Sequence, residues 1–126
     1  METRSPPPAV PHLSGLVLCR VGSGRLAFAA AEIASIDLSR EESLWAGDCF
    51  EGGERPKEGR LLWHELGAVA VDSLEIFNEL AVLLPVPPAV SRVMGGAIDG
   101  FVEVAGALWP VVGMDRLLRH LKGGPR

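Results

Sequence analysis

The chain is poor in the residues from which chemical sites are most often built. Its 126 residues include two cysteines, three histidines and no tyrosine, and aromatic residues make up only 6% of the whole. Cys19 and Cys49 stand far apart and in no CxxC or other metal-ligand spacing, so they read as reduced thiols of a cytosolic protein. His12, His64 and His120 are scattered, with no second ligand at metal spacing beside them. The pair His64-Glu65 reads as a strand-edge histidine. Gly22-Ser23-Gly24 has the composition of a phosphate loop but lacks the lysine and the following Ser/Thr. Gly95-Gly96 lacks the third glycine and helix start of a dinucleotide fingerprint. There is no Gly-x-Ser-x-Gly elbow. No catalytic residue, metal or cofactor is therefore expected, and an enzyme is the least favoured functional class.

Excess positive charge is missing as well. Twelve Lys and Arg stand against sixteen Asp and Glu, a formal net charge of −4, which gives no electrostatic reason to expect nucleic acid or an anionic membrane surface. No apolar run is long enough to span a bilayer, since the best one, Leu80 to Val90, is broken by Pro85, Pro87 and Pro88. Met1 to Pro11 carries Glu2, Arg4 and four prolines and has no apolar signal-peptide core. Direct membrane insertion is not expected, and a cytoplasmic protein is. Residues 1–12 are expected to form a poorly ordered Pro-rich leader, 13–122 one domain, and 123–126 a flexible tail.

Hydrophobic residues, by contrast, make up 48% of the chain, enough for a true core. Leu16 to Val21 and Arg25 to Phe28 flank Gly22-Ser23-Gly24 and read as a β-hairpin. Ala29 to Ile36 is alanine-rich, with Ile33 and Ile36 at i, i+3 spacing, which predicts a short helix or helical turn. From Asp37 to Gly59 charge and glycine dominate, and the stretch reads as a long loop, with one short strand near Cys49-Phe50 as an option. Strands follow at Leu61–His64, Ala68–Val71, Leu74–Leu80, Ala97–Val104 and Leu108–Val112, with a proline-rich extended crossing between the third and the fourth. Gly100 inside its strand suggests a bend or bulge, and Pro110 an edge or bulge. Met114, Leu117, Leu118 and Leu121 fall at helical spacing, and Gly123-Gly124 ends that helix. Many short strands with two short helices predict a mainly β fold of small antiparallel barrels, without a parallel-sheet signature. Among the tryptophans, Trp45 in the polar loop is expected to be partly exposed, and Trp63 and Trp109 to lie in the core.

The order of these elements resembles that of CheW-like coupling domains. Such domains open with a strand, a glycine turn, a second strand and a short helix, as Leu16–Val21, Gly22–Gly24, Arg25–Phe28 and Ala30–Ile36 do here. Leu66-Gly67-Ala68-Val69-Ala70-Val71-Asp72-Ser73-Leu74 is similar to the family's V-G-L-V-V-D-x-V strand, and Pro85-Val86-Pro87-Pro88 to its proline-rich crossing. Ile98–Val104, Ala105–Ala107, Leu108–Val112 and Met114-Asp115-Arg116-Leu117-Leu118 resemble its closing hairpin and helix. The similarity spans most of Leu13 to Leu121. The middle departs from it: where the family carries a G-V-x-N-L-R-G turn, the nearest match is Ala46 to Gly52, with Glu51 at the position of the assembly arginine. The following strands look shortened between Gly53 and Gly59.

The resemblance implies a CheW-like fold of two small SH3/OB-like β-barrel subdomains, one of them truncated. It also implies a non-catalytic scaffold of a bacterial chemosensory complex, similar to the accessory CheW-like proteins of gliding-motility (frizzy-type) pathways. The implied partners are the cytoplasmic tip of a chemoreceptor and, with reduced contact, a CheA-type histidine-kinase regulatory domain or another CheW-like protein. The expected contact residues are Leu18, Ile33, Ile36, Glu51 and Val69; ordinary core packing is the alternative for the apolar ones. The competing functional reading is a small β-barrel that binds a peptide or ligand outside any chemosensory role.

Overall fold

Alternation of apolar and polar residues drives most of this chain into paired strands. The computed structural model describes residues 12–38, 44–49, 58–92 and 96–123. Among them are nine strands: β1 (His12–Val21), β2 (Gly24–Ala29), β3 (Ser35–Leu38), β4 (Leu44–Trp45), β5 (Arg60–His64), β6 (Gly67–Val71), β7 (Ser73–Val82), β8 (Ile98–Val104) and β9 (Ala107–Val112). One α-helix, α1 (Met114–Leu121), follows them. The fold is mainly β. A five-stranded sheet runs in the order β7-β1-β2-β9-β8, and a four-stranded sheet in the order β3-β5-β6-β4.

The five-stranded sheet curls on itself. Just past β7, Leu84 exchanges two backbone hydrogen bonds with Phe101 of β8, at 2.7 and 2.9 Å, and so brings the two ends of the sheet together. Gly100 permits this approach, because a Cβ there would strike the Leu84 carbonyl and the Leu83 side chain. The register of β8 against β9 slips between Ile98 and Gly100, the irregularity expected around that glycine. Two pairings are parallel, β2 with β9 at Ala27↔Val111 and β4 with β6 at Leu44↔Val69 and Trp45↔Ala70, so the sheets are not purely antiparallel as their short strands had suggested.

The interior strand β1 is buried on both faces from Leu16 to Cys19, which explains its unbroken apolar run. Leu16 and Leu18 turn into the curl of the five-stranded sheet, beside Ala27, Ala81, Val102, Trp109 and Val111. Val17, Cys19 and Val21 turn the other way, into a larger core shared by β2, the four-stranded sheet and α1. Burial among these apolar groups pushes the Cys19 thiol far up, so it stays protonated. On α1, Met114, Leu117 and Leu118 are buried, the stripe that the spacing predicts.

Ala30 to Ile36 differs from expectation. Only Ala30–Glu32 forms a 3-10 turn, and Ser35–Leu38 is strand β3, paired antiparallel with β5. Ile33 and Ile36 therefore share no helix face. Hydrogen bonding to a neighbouring strand, with the Ala34 N–H donating to Trp63 O and the pairing continuing through β3, outweighs the local helix preference of the alanines. Within 37–59 the short strand is Leu44–Trp45, followed by a 3-10 turn at Ala46–Cys49; Phe50 lies outside the described residues. The expectations for the leader before His12, for Glu51, for the shortened 53–57 stretch and for the tail after Gly123 also fall outside them.

The turn after β2 does a second job. Helix α1 begins at Gly113, which has no side chain to cap it, and Glu32 Oε2 accepts the Met114 N–H at 3.0 Å instead. An acceptor from a remote segment thus satisfies a free amide at the positive end of the helix. Glu32→Ala is expected to cost about 1 kcal/mol. Urea unfolding followed by circular dichroism would read this as a lower midpoint at unchanged slope.

Candidate interaction surfaces

Of the residues singled out from sequence, Leu18 is 4% exposed and Val69 fully enclosed. They sit in different clusters, Leu18 inside the curled sheet and Val69 between the sheets. Neither offers surface to a partner, which corrects their assignment as contacts: both are packing residues, on strands covered on both faces. Ile33 is half-buried against the larger core. Ile36 is 39% exposed.

Two tryptophans exchange the roles expected of them. Trp45 is buried because its ring folds back over Gly47, where any Cβ would collide with it. Its Nε1 donates to Asp72 Oδ1 at 2.8 Å. Trp63 is exposed on the β5 side of the β3 edge, and its Nε1 donates to Asp37 Oδ2 at 3.0 Å. Polarity of the flanking sequence misplaced Trp45, because a buried tryptophan needs only one acceptor for its N–H and Asp72 supplies it from a distant strand. Trp109 is buried as expected.

Asp72 is the residue that sequence reasoning undervalued. It stands in the single-residue step between β6 and β7, where the chain passes from one sheet to the other. One carboxylate oxygen takes the Trp45 N–H and the other accepts the Gly22 amide at 2.7 Å, while the Asp72 N–H donates to Arg20 O at 3.0 Å. A single side chain thereby fastens the β1–β2 hairpin, strand β4 and the crossing between sheets. The acid ending the β6 strand was visible in sequence; its two partners, 27 and 50 residues away, were not.

Three surface features remain. The first is the rim formed by β3, an edge strand whose four residues are all exposed. Ile36 and Leu38 point to one side of it, Leu38 being 72% exposed and the most open of the large apolar side chains among the described residues. The second is the outer face of β7, with Ile76, Leu80 and Val82 exposed. Beside it, a cleft of about 400 Å³ is lined by Phe77, Leu80, Ala81, Val82, Leu84 and Glu103, where β7 and β8 approach each other. The third is the end of the β1–β2 hairpin, where cross-strand neighbours Arg20 and Arg25 hold their guanidinium carbons 5.4 and 5.6 Å from the Trp109 ring centre. Arg25 Nε also donates to Leu108 O at 2.8 Å, which ties β2 to β9.

Among the described residues no three His, Cys, Asp or Glu side chains gather closely enough to hold a metal. No helix among them is long and apolar enough to cross a membrane. The described polar groups that meet one another do so in structural pairs, such as Arg116 with Asp99 and Lys122 Nζ with Leu66 O at 3.0 Å. Compared with known proteins, the chain matches no family model and no curated sequence.

Proposed function

We propose that this chain is a non-catalytic adaptor of the CheW-like kind, which binds the cytoplasmic tip of a chemoreceptor and has reduced contact with a histidine-kinase regulatory domain. The observation that carries the proposal is the β3 rim: an exposed edge strand presenting Ile36 and Leu38 beside half-buried Ile33. Exposed apolar side chains in a row on a rigid sheet suit recognition of an amphipathic helix, the form in which a receptor tip is offered. The order of elements along the chain, and two sheets around a shared core, one built from both ends of the chain and the other from its middle, support the CheW-like reading of the fold. Reduced kinase contact rests on Glu51, an acid at the position where the family's assembly arginine stands.

Immobilised receptor tip and kinase regulatory domain, each offered the full chain, form the test. The receptor tip is expected to retain the chain and the kinase domain to retain much less. Leu38→Asp is expected to weaken receptor retention roughly tenfold or more, the loss of one apolar anchor worth over 1 kcal/mol. Equal tight binding to the kinase domain would remove the reduced-coupling part, and no receptor binding would remove the proposal.

A further inference from the structure

Strand β7 has ten residues and forms one end of the five-stranded sheet. Antiparallel pairing with β1 satisfies one of its edges. Among the described residues no strand pairs with the other edge between Ser73 and Val82, and the bridge to β8 begins only at Leu84. Natural edge strands are commonly blunted by lysine, proline or a short length. Here Ser73-Leu74-Glu75-Ile76-Phe77-Asn78-Glu79-Leu80-Ala81-Val82 contains no lysine, arginine or proline, and it is long. Phe77 and Ala81 point into the curl of the sheet, so Leu74, Ile76, Asn78, Leu80 and Val82 form a row on the opposite face, with Leu74 packed at the margin of the larger core. Of that row, Ile76 is 46% exposed, Leu80 63% and Val82 43%.

This row is nearly symmetric about Asn78. We propose that β7 is a self-pairing edge, through which two copies of the chain associate by antiparallel β7–β7 pairing with Asn78 opposite Asn78. Residues directly opposite in such a pair lie on the same face, so the register decides which side chains meet. With Asn78 at the centre, Ile76 of each copy meets Leu80 of the other, and Asn78 meets Asn78 on the same outer face. On the other face Glu79 meets Phe77 and Glu75 meets Ala81. No acid faces an acid. Centring the pair on Phe77 instead sets Glu75 against Glu79 twice, which like-charge repulsion disfavours. Centring it between Phe77 and Asn78 pairs outer-row with inner-row residues, so the apolar rows of the two copies no longer join into one surface. Among the registers that keep the apolar row on one face and set no acid opposite an acid, the one centred on Asn78 overlaps the longest stretch of β7, from Leu74 to Val82, and the near-symmetry of the row makes a second copy its matching partner. A two-fold pairing of this kind is closed and ends at the dimer. The surface is separate from the β3 rim, so the association goes beyond the adaptor proposal and does not depend on it.

The experiment uses the full chain in a Cys49→Ser background, Cys19 being buried and protonated. Light scattering over a concentration series into the high-micromolar range is expected to show a monomer–dimer equilibrium. Leu80→Lys is expected to weaken self-association roughly tenfold or more, by placing a charge opposite Ile76 in both halves of the interface. Circular dichroism of that variant checks that it is folded, and its retention by receptor tip is expected to be unchanged. Asn78→Cys is expected to give a disulfide-linked dimer under mild oxidation, and Arg119→Cys, exposed on α1, is not. A chain that stays monomeric throughout the series overturns the proposal. So does a dimer that persists in folded Leu80→Lys, or one that Asn78→Cys does not cross-link.

Discussion

Asp72→Ala is expected to lower stability by about 2–3 kcal/mol, because hydrogen bonds to a charged acceptor are worth more than neutral ones and two are lost together. The larger part of the loss falls on Trp45. Trp45 is 6% exposed, so its N–H, deprived of Asp72, has little access to water in exchange. The Gly22 amide lies at the surface and can turn to solvent, so it contributes less. Asp72→Asn separates the two effects: an amide keeps one acceptor oxygen and loses the charge, and should recover part of the difference. Urea denaturation of the three proteins measures this. A loss under about 0.5 kcal/mol in Asp72→Ala, the range of ordinary surface substitutions, would show that the joint between the sheets does not depend on this carboxylate.

Leu18→Ala is expected to cost about 3 kcal/mol, the usual range for emptying a leucine site in a packed interior. Leu18 packs inside the curled sheet with Leu16, Ala27, Val102 and Trp109 and is 4% exposed. The consequence for function is specific. If Leu18 were a partner contact, its removal would weaken binding while stability held; as a core residue it lowers the unfolding midpoint, and the remaining folded protein binds receptor tip as before. Thermal unfolding and receptor retention, measured on one preparation, separate the two. A binding defect at unchanged stability would contradict the reading of Leu18 as a packing residue.

Much of this architecture was legible in the sequence because it is written in local patterns. The β1–β2 hairpin, the pair β5–β6, the glycine-marked irregularity in β8, the closing hairpin and α1 all follow from alternation, turn residues or helical spacing within a dozen neighbours. What was not legible depends on partners far along the chain. Ile36 lies in a strand because β5 is there to pair with it, and alanine's helix preference is too weak to compete. Trp45 is buried because Asp72 arrives from the other sheet crossing. Leu18 and Val69 look like any exposed-or-buried apolar residue until it is known that β1 and β6 are covered on both faces. The candidate surfaces divide the same way: Ile36 was singled out by its type, whereas Leu38 and the outer row of β7 become visible only once the sheet order shows that both strands are edges.

On the proposed function, a receptor tip docks on the β3 rim. Amide chemical-shift mapping of the full chain during titration with receptor tip tests it most directly. The perturbed amides are expected to concentrate on Ile33 to Leu38 and the adjoining β5 residues Leu62 to His64, and Leu38→Asp is expected to shift the titration to roughly tenfold higher receptor-tip concentration. Perturbations centred on β7 or on the Arg20–Arg25 hairpin end, with the β3 rim unmoved, would contradict it.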